Sequence, residues 1–161
     1  MNSDQRTRNN KDAFVTNNAK QTQKLGEMLA KELRGGEILC LSGELGSGKT
    51  TFSQGILKGL GVKGPFTSPT FVVLKHYGIR NYELGIMNVY HIDVYRVGPK
   101  DILELGWEEI IAGKNNVVIV EWAERIKRII PKSAIWLKFS HFDKNNRKIA
   151  VNSKFKSQNA K

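Results

Sequence analysis

Apolar positions in this chain fall into two kinds of run. Some are short continuous blocks, and others recur every three or four residues, so strands and helices are expected to alternate. DAFVT (12–16) reads as a short strand. NNAKQTQKLGEMLAKELRGG (17–36) reads as one helix, opened by an asparagine cap and closed by Gly35-Gly36, with Leu25, Met28, Leu29 and Leu33 on one face. EILCLS (37–42) is a strand, and the spacing in FSQGILKGL (52–60) predicts a helix that begins near Lys49. GVKGPFTSPT (61–70) is rich in turn formers. FVVLKHY (71–77) and IMNVYHIDVYRV (86–97) read as strands separated by a loop or hairpin turn at GIRNYELG (78–85). PKDILELGWEEIIAG (99–113) predicts a single helix with Asp101 near its start and Gly113 at its end. NVVIVEWAERI (116–126) begins as an unbroken apolar run, the mark of a strand buried on both faces. SAIWLKFSHF and RKIAVNSK flank DKNN as an antiparallel hairpin. The succession predicts an α/β layer fold with a largely parallel central sheet.

Length and composition narrow this picture. The chain has 161 residues, 40% of them apolar and 25% charged. That suits a single domain over residues 1–161 with an ordinary core, its ends at 1–11 and 154–161 polar and expected to be disordered. The lone cysteine, Cys40, lies in a strand and cannot form an internal disulfide, which fits a reducing cytoplasm. The first residues hold no apolar stretch resembling a signal peptide, and no run approaches the ~20 apolar residues of a membrane span. The net charge is +11, and from Arg125 onward eleven Lys or Arg face one acid, Asp143. A basic end of this kind can attract nucleic acid or an acidic protein face, and it can equally serve as a solvated surface.

Between the strand at 37–42 and the helix near 49 lies Gly43-Glu44-Leu45-Gly46-Ser47-Gly48-Lys49-Thr50, which fits G-x-x-x-x-G-K-[ST] without a gap. Glycines let backbone N–H groups turn inward and approach phosphate oxygens closely. The following helix points its free N–H groups and positive dipole end at the same anion. A lysine at the helix mouth adds a mobile charge, and a threonine hydroxyl is a suitable hard ligand for Mg²⁺. Gly43, Glu44, Gly46, Ser47, Gly48, Lys49, Thr50 and Thr51 are therefore the candidate nucleotide-binding residues, with ATP and Mg²⁺ as expected cofactors.

A phosphate–Mg²⁺ site also needs a carboxylate at the end of a neighbouring strand. Glu121 ends the run Val117-Val118-Ile119-Val120, and Asp93 follows Val89-Tyr90-His91-Ile92. One can hold the metal while the other orients the attacking water, and spacing alone does not assign them. In Thr67-Ser68-Pro69-Thr70 a hydroxyl could sense a γ-phosphate, or the segment could be a plain turn. An N-K-x-D guanine motif is missing, which favours adenine, and so is a long Arg-bearing lid of the kind nucleoside kinases carry.

GELGSGKTTF, SPTF, HIDVYR, ELGWEE and VEWAER follow one another in an order and spacing that resembles the TsaE family. These are small bacterial P-loop ATPases needed to make threonylcarbamoyladenosine beside the anticodon of tRNAs. The resemblance implies a P-loop sheet with parallel central strands, flanking antiparallel strands and a C-terminal hairpin. It implies Thr50 and Glu121 as Mg²⁺ ligands, and Asp93 and Thr70 at the γ-phosphate. It implies that Trp122 responds to nucleotide or partner. It also implies TsaD and TsaB as partner subunits, with tRNA reached through that complex, and no transfer of the threonylcarbamoyl group by this chain itself. The chain departs from the family pattern at Glu44, where Asp is common, and at Val72, where a second threonine often stands. Rival readings are a P-loop small-molecule kinase and a basic RNA-binding accessory protein.

Overall fold

The computed structural model describes residues 6–7, 13–66, 73–79, 83 and 85–151. Eight strands lie in one sheet: β1 (Arg6–Thr7), β2 (Ala13–Thr16), β3 (Ile38–Gly43), β4 (Leu74–Gly78), β5 (Asn88–Asp93), β6 (Asn116–Glu121), β7 (Ile135–His141) and β8 (Arg147–Val151). Their order is β1-β2-β8-β7-β3-β6-β5-β4. The four central strands, β7, β3, β6 and β5, run parallel. Antiparallel strands flank them on both sides, and β7 and β8 form the expected C-terminal hairpin. At its turn Asp143 accepts from the backbone N–H groups of Asn145 and Asn146, which closes the loop locally.

Alternation along the parallel strands divides the core in two. Leu39, Leu41, Val89, Val117, Ile119, Leu137 and Phe139 meet Leu25 of helix α1 (Ala19–Ala30) and Phe52, Ile56 and Leu57 of helix α2 (Lys49–Gly59). On the other face Ile38, Cys40, Ile92, Val118 and Val120 pack against Ile102, Trp107, Ala123 and Ile126. Burial pushes the Cys40 thiol up to about 12, so it is an inert core residue.

Helices α1 and α2 pack backbone to backbone. A Cβ added at Gly26 would lie 2.3 Å from the Phe52 carbonyl oxygen, and one at Gly55 would lie 2.1 Å from that of Gln23. A Cβ at Gly59 would lie 2.6 Å from the Ala30 Cβ and 2.8 Å from the Glu27 carbonyl oxygen. This seam fixes α2, and with it the glycine loop at its mouth. The periodicity of α1 shows Leu25 and Leu29 but not the glycines, whose role is close approach rather than apolar area.

Some boundaries differ from expectation, each for a local reason. The helix predicted to Gly36 ends at Ala30. Beyond it Leu33 turns fully into the core, and the N–H groups of Arg34 and Gly35 donate to the Glu37 carboxylate instead of continuing the helix. The helix predicted over 99–113 divides into α3 (Pro99–Glu104) and α4 (Trp107–Ala112). Gly106, at φ 86°, breaks it, and the break lets Trp107 bury its ring and donate Nε1–H to the Ile129 carbonyl. The strand predicted over 86–97 covers Asn88–Asp93, because Asp93 accepts from Tyr95 N–H and turns the chain off the sheet. Arg6–Thr7, expected within a disordered end, pairs with β2, whose backbone groups would otherwise form the sheet edge. After Glu121 the chain enters two short 3₁₀ turns within Ala123–Ile129, kinked at Ile126. The Thr67–Thr70 turn, the start of the strand predicted at 71, much of the predicted turn at 78–85 and the far ends of the chain lie outside the described residues. No helix among the described residues is long and apolar enough to cross a membrane.

Candidate nucleotide site

The carboxyl ends of parallel strands in an open α/β sheet are where ligands bind. Here β3 ends at Gly43, β5 at Asp93 and β6 at Glu121, and Asp93 and Glu121 are direct partners in the β5–β6 register. Val89, His91 and Asp93 point to the side of the sheet that α2 covers, as do Val117, Ile119 and Glu121. The first turn of α2, with Lys49, Thr50 and Thr51, sits over the same edge.

The loop from Gly43 to Gly48 is held from several directions. A Cβ at Gly43 would lie 2.2 Å from the Phe139 carbonyl oxygen, so only glycine fits beside β7. Gly43 N–H donates to Glu124 Oε2 at 3.1 Å. Gly48 caps α2 in the left-handed region at φ 105°, where an L side chain is strained. Ser47, fully buried, donates its N–H to the Glu44 carbonyl. From β8, Arg147 Nε donates to the Gly46 carbonyl at 3.1 Å, tying the loop tip to the hairpin.

Lys49 is 5% exposed. Its Nζ donates to the carbonyls of Gly43 and Glu44, at 2.5 and 2.8 Å, and stands 4.0 Å from the centroid of the Trp122 ring. Burial pushes its pKa down, while Glu124, Glu121, Asp93 and Glu44 pull it back up. Trp122 follows Glu121 with φ 63°, a strained conformation for a bulky residue, and its ring also meets Tyr95 at 4.8 Å.

From the first turn of α2, Thr50 Oγ1 donates to Glu121 Oε1 at the end of β6, at 2.7 Å. The other oxygen, Oε2, bonds His91 Nε2 at 2.5 Å. Glu121 and His91 are each 1% exposed. The structure thus brings together Gly43, Glu44, Gly46, Ser47, Gly48, Lys49, Thr50, Thr51, Asp93 and Glu121, while Thr70 lies outside the described residues. Sequence reasoning missed His91, Glu124 and Arg147 as members of the site. The signals it had were a lone polar residue inside an apolar strand and a second acid three positions after Glu121. For Arg147 there was no local signal.

Asp93 is buried, and desolvation first, then the nearby Glu121 charge, pushes its pKa up, against the Tyr95 N–H bond that lowers it. A raised folded-state value means the folded protein holds that proton more tightly than the unfolded chain. The resulting stability is present below the ordinary value of 3.8 and is lost as pH rises through the folded-state pKa. Asp93→Asn keeps an acceptor for Tyr95 N–H and removes the charge. Urea unfolding is expected to show the variant more stable than the parent at pH 7, with the gap closing toward pH 4. Equal stabilities at pH 7 would contradict this.

Residues 16–149 match the family model of the threonylcarbamoyl adenosine biosynthesis protein TsaE. The chain belongs to the TsaE family. A tRNA threonylcarbamoyladenosine biosynthesis protein TsaE from Rickettsia felis is 36% identical over 140 residues, covering 86% of this chain and 78% of that protein. The Bacillus subtilis TsaE is 34% identical over 134 residues, covering 83% of this chain and 80% of its own length. The crystal structure of YdiB from the same species superposes with a TM-score of 0.72 at 30% identity, covering 91% of this chain and 89% of that one. The mixed sheet of this TsaE-family chain, parallel at the centre and antiparallel at the flanks, is therefore shared with a solved structure.

Proposed function

We propose that the chain is a Mg²⁺-dependent ATP-binding and ATP-hydrolysing subunit that serves threonylcarbamoyladenosine modification of tRNA together with TsaD and TsaB. The observation that carries the reading is the 2.7 Å bond between Thr50 Oγ1 and Glu121 Oε1 beside the buried Lys49. A hydroxyl and a carboxylate are hard oxygens, the donor set that suits Mg²⁺ when phosphate oxygens and water complete it. They converge where a nucleotide on the glycine loop would place its terminal phosphates. The residues present therefore fit the metal, which Thr50 and Glu121 would hold and which would neutralise charge between the phosphates when bound.

The other roles rest on this chain's own groups. Lys49 gives up the Gly43 and Glu44 carbonyls and turns its ammonium to phosphate oxygens. Backbone N–H groups of Gly46 to Thr51 cradle the phosphates. Asp93, whose raised pKa suits a general base, orients the attacking water and takes its proton. On the strength of the family resemblance, Thr70 places its side-chain hydroxyl at the γ-phosphate.

Phosphate release and association with purified TsaD and TsaB, each measured with ATP, ADP and no nucleotide, test the proposal. Slow release alone, faster release with the partners, and association that changes with the nucleotide are expected. Association identical in all three states, with no release, would overturn it. Label passing from ATP to a metabolite would instead indicate a small-molecule kinase.

A further inference from the structure

His91 stands where an aliphatic residue would be expected. Its neighbours on that side of the sheet are Val89, Val117 and Ile119, all fully buried. Burying an imidazole among them is costly unless its polar atoms are paired. Only one is: Nε2 meets Glu121 Oε2, while Nδ1 is the single buried side-chain nitrogen or oxygen without a hydrogen-bond partner among the described residues. A ring kept only to fill space would not need this arrangement.

The pairing also fixes the donor. The nitrogen facing a carboxylate carries the hydrogen, so Nε2–H donates and the ring gives Glu121 one hydrogen bond.

Both Glu121 oxygens are accounted for. Thr50 Oγ1 holds Oε1 from the α2 side and His91 Nε2 holds Oε2 from β5. Two donors on opposite oxygens fix the plane of the carboxylate as well as its position. Metal ligands are commonly oriented by such outer partners.

We propose that His91 is a positioning residue for Glu121, holding its carboxylate plane so that Oε1 stays beside the Thr50 hydroxyl, ready for the divalent cation of a bound nucleoside triphosphate. The proposal rests on the functional reading above and names how its metal half is built. His91 touches neither nucleotide nor metal, so its loss affects metal-assisted binding and leaves the glycine loop's own grip on phosphate intact.

The test is ATP binding by calorimetry to the full chain, once across a Mg²⁺ series and once in EDTA. For His91→Leu, the half-saturating Mg²⁺ is expected to rise about 10- to 100-fold. Affinity in EDTA is expected to stay within about twofold of the parent, because loop amides and Lys49 are untouched. His91→Gln places an amide nitrogen near the position of Nε2 and is expected to restore much of the Mg²⁺ response. His91→Asn places its nitrogen near Nδ1 and is expected not to. If His91→Leu does not fold, the Gln and Asn pair carries the same contrast. An unchanged Mg²⁺ requirement in His91→Leu or His91→Asn overturns the inference, as does an equal loss with and without metal, which would mark a plain packing role. A parent chain that binds no ATP in Mg²⁺ sinks the nucleotide reading together with this one.

Discussion

Lys49→Ala is expected to weaken ATP binding at least about a hundredfold, since charge-assisted hydrogen bonds are worth roughly 1.5–3 kcal/mol each and the ammonium can make more than one. The lysine need not be free beforehand. Its Nζ already serves the Gly43 and Glu44 carbonyls, so binding exchanges those bonds for bonds to phosphate. The exchange is favourable because phosphate oxygens carry full charge and the carbonyls only a dipole. Burial disfavours the ammonium, so its removal should not unfold the protein. Far-UV circular dichroism and thermal melting should remain near those of the parent. Calorimetric affinity within about threefold of the parent would contradict the role given to Lys49.

Removing the carboxylate of Glu121 is the second large effect. Glu121→Ala is expected to raise the Mg²⁺ requirement and to slow phosphate release by about two to three orders of magnitude, the usual scale for losing one charge-stabilising group. Alanine also strands two donors, Thr50 Oγ1–H and His91 Nε2–H, next to a cavity. Glu121→Gln separates these causes, because it keeps the shape and an acceptor but not the charge. If the charge is what matters, the glutamine variant should show nearly the same defect in Mg²⁺ dependence with smaller loss of stability. Both variants should retain binding in EDTA. A Mg²⁺ requirement unchanged in both would place the metal elsewhere.

Much of the site could be read along the chain because its chemistry is local. Residues 43 to 51 carry their own strand, loop and helix signals, and the structure sets β3, the loop and α2 at those positions. Glu121 and Asp93 were visible as acids ending apolar runs, since a buried parallel strand leaves few other reasons for a carboxylate there. What the sequence could not show is that they are neighbours. Asp93 pairs with Glu121 only because β5 and β6 adjoin, and that pairing is set by packing far from either residue.

The same limit explains the misses. His91 has aliphatic neighbours on its own face and reads as core until Glu121 is placed within hydrogen-bond reach on the adjoining strand. Arg147 reaches the Gly46 carbonyl from a strand 101 positions away. Gly106 breaks a helix whose apolar spacing continues through it, and only the burial of Trp107 shows why the break is kept. The α1–α2 seam depends on Gly26, Gly55 and Gly59, residues that contribute nothing to an apolar pattern.

The most direct measurement is a crystal structure of the chain with Mg²⁺ and a non-hydrolysable ATP analogue. Phosphates are expected to be ringed by the backbone amides of residues 46 to 51, with Lys49 turned from the Gly43 and Glu44 carbonyls to phosphate oxygens and Thr50 and Glu121 converging on one cation. Phosphates bound elsewhere, or a Glu121 carboxylate directed away from the cation, would contradict it.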